Sequence, residues 1–178
     1  KRKTFIFTKT IMKTLTVFTP AYNRAYLLPR LYESLCRQTC DDFEWLIIDD
    51  GSSDNTKELV AQWITEQNIV IHYIYQENQG MHGAHNTAYK NINTELNTCV
   101  DSDDYMADNA VELILKKWNT IDHPKIAGII GLDALISGEL LGTNFTSDTT
   151  TLEDFYLNGG KGDKKLVYRT DIVKKYPE

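Results

Sequence analysis

Four times between Leu15 and Trp118, a short apolar run rich in β-branched and aromatic residues gives way to a polar loop and then to apolar residues at helical spacing. Each strand is thus separated from the next by a helix's length of chain. That repeat favours crossover connections over hairpins, and predicts an α/β fold with a mainly parallel sheet covered on both faces.

The first unit is Leu15-Thr16-Val17-Phe18-Thr19, closed by Pro20, then a helix over Arg24 to Gln38 with Leu28, Leu31, Tyr32 and Leu35 on one face. The second is a strand from Phe43 to Ile48, a turn through Asp49 to Asn55, and a helix opened by an Asn55/Glu58 capping box, with Leu59, Val60, Trp63 and Ile64 as its apolar stripe. A strand from Ile69 to Tyr75 and a helix from Gly83 to Asn91 form the third. A strand from Asn97 to Val100 and a helix capped by Asp108, with Ala110, Val111, Ile114, Leu115 and Trp118 facing inward, form the fourth. The apolar run Ile126 to Leu132 reads as a further strand buried on both faces. Beyond it, Ser147 to Leu157 reads as a loop and short helix, Leu166 to Tyr168 as a strand, and Thr170 to Lys175 as a helix that ends before Pro177.

A chain of 178 residues suffices for one domain, and no linker divides it. Residues 1–11, ahead of Met12, read as an extension, and residues 12–178 as a single domain. The formal charge of −6 opposes a nucleic-acid partner, which needs a basic surface. No apolar run approaches the roughly 18 residues of a membrane span. Cys36, Cys40 and Cys99 are an odd set without zinc-type spacing; they fit a reducing, cytoplasmic setting and read as inert thiols.

Ligands of open α/β sheets bind at the carboxyl ends of the strands, and there the polar clusters fall. Strand one ends at Thr19-Pro20-Ala21-Tyr22-Asn23-Arg24, strand two at Asp49-Asp50-Gly51-Ser52, strand three at Glu77-Asn78-Gln79-Gly80, and strand four at Asp101-Ser102-Asp103-Asp104. Asp101-Ser102-Asp103 is a D-x-D pattern, suited to a hard divalent cation whose shell is completed by substrate phosphates; a solvated turn is the plainer reading. Asp50 suits a hydrogen bond from a base or ribose, or a helix cap. Tyr22 can stack on a nucleobase or cover a helix start. Arg24 can offset phosphate charge or be an ordinary solvated residue. His82 and His85 have no third clustered ligand, and read as phosphate contacts or surface rather than a metal site.

Together, Thr19 to Arg24, Ile47 to Thr56, Glu77 to Gly80 with Ala84-His85-Asn86, and Val100 to Asp104 resemble the family 2 glycosyltransferases in order and spacing, with His85 where an arginine is common. The resemblance covers Met12 to Trp118 and, more loosely, residues 119–178. It implies a GT-A (Rossmann-like) three-layer α/β/α sandwich and an inverting transfer from a nucleotide-diphospho-sugar donor, usually a UDP-sugar, to a glycan, polysaccharide or lipid-linked acceptor. By the same resemblance Pro20, Ala21, Tyr22 and Asp50 hold the nucleoside, with Arg24 beside them. Asp101 and Ser102 approach ribose and phosphate, and Asp103 ligates Mn²⁺ or Mg²⁺. The catalytic base is expected beyond Glu178, since Glu153-Asp154 stands too close to Asp103; the domain is then truncated at its C-terminus. The resemblance also allows peripheral association of a full-length protein with the inner face of the cell membrane.

Two other readings remain. A sugar-phosphate nucleotidyltransferase would carry a glycine-rich basic loop after strand one, whereas Pro20 to Arg24 has no glycine. A non-catalytic nucleotide-sugar-binding domain would keep the donor site without a base. A nicotinamide-binding domain ranks below both, because no G-x-G-x-x-G follows a strand.

Overall fold

Each apolar run of the repeat forms a strand, and each stretch at helical spacing a helix. The computed structural model describes residues 12–121 and 124–176. Its elements are β1 (Leu15–Ala21), α1 (Leu28–Cys36), β2 (Phe43–Asp50), α2 (Thr56–Glu66), β3 (Ile71–Gln76), α3 (Gly80–Asn91), β4 (Leu96–Cys99), α4 (Ala110–Trp118), β5 (Gly128–Leu132), α5 (Leu152–Leu157), β6 (Lys164–Arg169) and α6 (Thr170–Val173). The expected extension 1–11, Pro177 and Glu178 lie outside the described residues.

The strands form one six-stranded sheet in the order β3-β2-β1-β4-β6-β5. β1, β2, β3 and β4 are parallel, and β6 runs antiparallel to both β4 and β5. Side chains alternate across the sheet. Leu15, Val17, Trp45 and Ile47 therefore pack against Leu28, Leu31 and Leu35 of α1, Val60 and Trp63 of α2 and Val111 and Leu115 of α4. Phe18, Leu46 and Ile48 face the other way, onto Ala84, Ala88 and Tyr89 of α3 and Val173 of α6. The result is a three-layer α/β/α sandwich, as the resemblance implies. Within the first layer Tyr32 stacks on Trp63 at 4.3 Å between ring centroids and Trp45 on Trp63 at 5.8 Å, contacts worth about 0.5–1.5 kcal/mol each beyond burial.

Several local expectations shift. β1 continues through Pro20 to Ala21. Leu96 and Val100 donate to the carbonyls of Thr14 and Phe18, so the even-numbered residues of β1 address β4. The N–H that Pro20 lacks would point past Cys99, where β4 has ended, and no ladder bond is lost. α1 starts at Leu28 and not at Arg24. A helix from Arg24 would leave Pro29 deep inside it with no N–H to donate, whereas proline is tolerated in the first turn, where it now stands. The Asn55/Glu58 capping box does not form. The Asn55 side chain makes no cap bond, and Asp54 accepts from the Thr56 N–H and hydroxyl. Ile64, expected in the apolar stripe of α2, is exposed. Asp108 does not cap α4, whose N-cap is Asn109; its carboxylate pairs with Arg37 at 3.1 Å. β5 is a half-buried edge strand, not a central one, and begins at Gly128.

Candidate functional site

The loops that leave β1, β2, β3 and β4 converge at one end of the sheet. The β1 and β2 loops are locked together by short polar side chains. Asn23, in the left-handed region at φ 54°, donates its N–H to Ser52 Oγ and accepts through Oδ1 from the N–H groups of Ser53 and Asp54. Asp54 accepts the Ala25 N–H through its other oxygen. Burial alone would push the Asp54 carboxyl up, but the bonds from Thr56 and Ala25 outweigh it and hold the group below its usual range.

Asp49 and Asp50 are both buried, yet they do not form a pair. They are consecutive in a strand, so they point to opposite faces. Asp49 accepts from the Ser52 N–H and the Tyr73 hydroxyl on the α1/α2 face. Asp50 turns toward α3, where Oδ1 accepts from Gln76 Nε2 at 2.6 Å and the Gln79 N–H at 2.9 Å, and Oδ2 from the Gly80 N–H at 2.8 Å. Asp50 thus joins the end of β2 to the start of α3 and satisfies N–H groups that the helix leaves unpaired.

Gly51 makes that joint possible. It sits at φ +85°, and a Cβ there would meet the Asn78 nitrogen at 2.9 Å. Gly51→Ala is expected to cost on the order of 2 kcal/mol, through left-handed backbone strain and this close approach. Urea unfolding checks it: an unchanged midpoint would mean that the loop relaxes freely.

The loop after β4 is fixed onto the end of α1. Met106 N–H donates to Ser34 Oγ, Gln38 Nε2 donates to the Ala107 carbonyl, the Thr39 N–H donates to the Asp108 carbonyl, and the Arg30 guanidinium lies 4.2 Å from the Tyr105 ring centre. Ser102 is buried, while Asp101, Asp103 and Asp104 are exposed. The Asp101 carbonyl accepts the Asp104 N–H, closing the turn. Burial pushes the Asp104 carboxyl up; Lys165 draws it back, and the neighbouring charges of Asp101, Asp103 and Asp133 add to the rise.

Of the other expected residues, Pro20 is half-buried and Ala21 buried at the end of β1, while Tyr22 is exposed beside them. Arg24 is exposed, with its guanidinium 3.4 Å from the Tyr26 hydroxyl. His85 lies at 3.6 Å from Cys99 Sγ and edge-on to Phe18. Among the described residues, no hydrogen bond links Asp50 to Asp101–Asp103. Glu153 and Asp154 lie in the first turn of α5, where the Asp154 N–H is capped by Thr151 Oγ1. Sequence reasoning missed Ser34, Gln38 and Lys165. The first two lie on an expected helix without any motif, and the third comes 64 positions after Asp101 in the chain.

Among the described residues, no group of three or more His, Cys, Asp or Glu could hold a metal ion unaided. The donor set does suit a hard cation that keeps substrate oxygens in its shell: exposed carboxylates with no softer ligand required. Two open hollows, of 620 and 780 Å³, lie toward the opposite end of the sheet, where β1 to β4 begin and β6 ends, lined by Glu44, His72 and Thr94 in one and Trp118, Arg169 and Thr170 in the other. Neither is bordered by the converging loops. Among the described residues, no helix is long and apolar enough to cross a membrane.

The architecture matches S. aureus TarS 1–349 in complex with UDP-GlcNAc (TM-score 0.70, 22% identity, covering 91% of this chain and 47% of that one). It also matches the mannosyltransferase PcManGT of Pyrobaculum calidifontis in complex with GDP-Man and Mn²⁺ (TM-score 0.64, 18% identity, 93% and 47%). At these identities the likeness speaks for the fold. In sequence, the chain is 26% identical over 167 residues to the GalNAc(5)-diNAcBac-PP-undecaprenol β-1,3-glucosyltransferase of Campylobacter jejuni, covering 92% of this chain and 54% of that protein. The matches span between 15% and 54% of the length of the first curated relatives. The model of glycosyl transferase family 2 matches residues 16–135, more than half of the 178 residues, and the chain belongs to that family.

Proposed function

We propose that this chain is the nucleotide-sugar-binding part of a hexosyl-transferring glycosyltransferase that takes a UDP-sugar with Mn²⁺ or Mg²⁺ and delivers the sugar, with inversion, to a glycan, polysaccharide or lipid-linked acceptor. The observation that carries it is the convergence of the β1, β2 and β3 loops with Asp101-Ser102-Asp103 at one end of the sheet, in a chain of this family. Complexes of structural neighbours with UDP-GlcNAc, and with GDP-Man and Mn²⁺, support the donor class and a divalent ion. The Campylobacter relative, named for an undecaprenol-linked substrate, supports a lipid-linked acceptor.

In this reading Tyr22 stacks on the base, with Pro20 and Ala21 beneath the nucleoside. Asp50 uses its remaining lone pair toward base or ribose while anchoring α3, and Arg24 offsets charge at the rim. Asp101 and Ser102 approach ribose and phosphate, and Asp103 holds the cation. A divalent ion bound there would act as a Lewis acid toward the leaving diphosphate. The loop after β4, tied to α1, brings Asp103 to the donor already positioned. Family membership removes the ground for a sugar-phosphate nucleotidyltransferase; a module that binds without transferring is separated by assaying a longer chain.

Calorimetric titration of UDP tests the donor site. Binding in Mn²⁺ that weakens about tenfold or more in EDTA is expected, because the diphosphate then meets the carboxylates without its bridging cation. Equal affinity in EDTA would sink the metal-bridged reading, and no binding in either condition would sink the nucleotide reading.

A further inference from the structure

The loop after β4 carries Asp101, Asp103 and Asp104, and Asp133 follows the end of β5. Leu132 lies opposite Lys164 in β6, which brings Asp133 to the same end of the sheet as the loop after β4. A diphosphate brought here meets up to four carboxylates, and one divalent cation cannot balance them together with the ligand's own negative charge. A fixed positive charge is needed close by.

Lys165 is placed for this. β6 pairs with β4 in antiparallel register, Thr98 opposite Val167. Two residues further along, Lys165 comes opposite Val100, immediately before Asp101. Its side chain is half-buried, and Nζ donates to the Cys99 carbonyl at 3.2 Å. That bond uses one of the three ammonium hydrogens and fixes the others at the end of β4. Among the described residues, no carboxylate oxygen lies within ion-pair distance, 4.0 Å, of this ammonium. A cation held among acidic groups without being spent on one of them keeps its charge and two donors for an incoming anion.

We propose that Lys165 is a diphosphate-binding residue, the chain's own cation at the metal end of the donor site. This rests on the reading of the site as one for a nucleoside diphosphate. Its place on β6 puts it on the far side of β4 from β1, so it would meet the phosphates and not the base. His85, on α3, packs against the opposite face of the sheet and does not duplicate it.

The test is titration of UDP and of uridine, at saturating Mn²⁺, into the wild-type chain, Lys165→Met and Lys165→Arg. Lys165→Met is expected to lose about tenfold or more in UDP affinity and to keep uridine affinity within about twofold, while Lys165→Arg restores UDP binding to within about threefold. Should Lys165→Met fail to fold, as judged by circular dichroism, Lys165→Gln takes its place in the same comparison. Unchanged UDP affinity in the neutral variant overturns the assignment. So does a parallel loss of UDP and uridine, which would mark Lys165 as merely structural. A wild-type chain that binds no UDP at all would instead overturn the nucleotide reading, and this assignment with it.

Discussion

Replacing Asp103 by alanine is expected to weaken Mn²⁺-dependent UDP binding by about 100-fold, roughly 2.7 kcal/mol, while leaving thermal stability within about 1 °C of wild type. The two halves of this expectation have separate causes. A divalent ion that takes one or two protein carboxylates and completes its shell with phosphate oxygens has little left when its carboxylate is removed. Asp103 is exposed, and its charge adds to the unfavourable field at Asp104, so its loss relieves repulsion and breaks no buried contact. Calorimetry with and without Mn²⁺, paired with a thermal melt, measures both. Asp108→Ala is the control: Asp108 is spent on an exposed pair with Arg37, and its removal should leave binding alone. Wild-type, metal-dependent affinity in the Asp103 variant would move the cation site elsewhere.

Asp50→Ala is expected to have the largest effect on stability, a loss of about 3 kcal/mol or more and about 10 °C in melting temperature. Asp50 is 4% exposed and accepts from the Gln76 side chain and from the N–H groups of Gln79 and Gly80. Alanine leaves three donors facing a space too enclosed for each to find water, and frees the start of α3 from the end of β2. Asp50→Asn should fall between the two. The amide oxygen can keep the two bonds now made by Oδ1, but the amide nitrogen would oppose the Gly80 N–H. Urea unfolding of the three proteins tests this order. An alanine variant as stable as wild type would mean that Asp50 is not an anchor, and that its burial has to be explained by ligand binding alone.

Both predictions concern residues found in the sequence, but their circumstances were legible to different degrees. Asp103 follows an apolar run by three residues in a polar stretch, and local pattern was enough to put it at a strand end. Asp50 was visible, but its partners were not. With β2 taken to end at Ile48, Asp49 and Asp50 read as one acidic turn. Two more residues of strand send them to opposite faces, each with its own donors. The start of α1 is legible in the sequence, since Pro29 opposes a helix from Arg24 and suits the first turn of one from Leu28. Asn55 stands at the N-cap of α2 as its position in the sequence suggests, but the side chain that bonds there is that of Asp54, which the Ala25 N–H, brought in from another loop, also holds in place.

The sequence alone determined the order of units, the parallel core of the sheet, the two-faced covering by helices, and the end of the sheet where polar loops gather. These follow from periodicity within about ten residues and from the handedness of crossovers, which leave few alternatives. Only the tertiary structure decided that β6 enters beside β4 in the antiparallel sense, that β5 lies at the edge, and that α1 holds the loop after β4. It alone brought Lys165 to the Cys99 carbonyl across 66 positions of chain. Such contacts depend on which strands pair and in what register. That choice is made by the packing of the whole sheet, and no local pattern of residues records it.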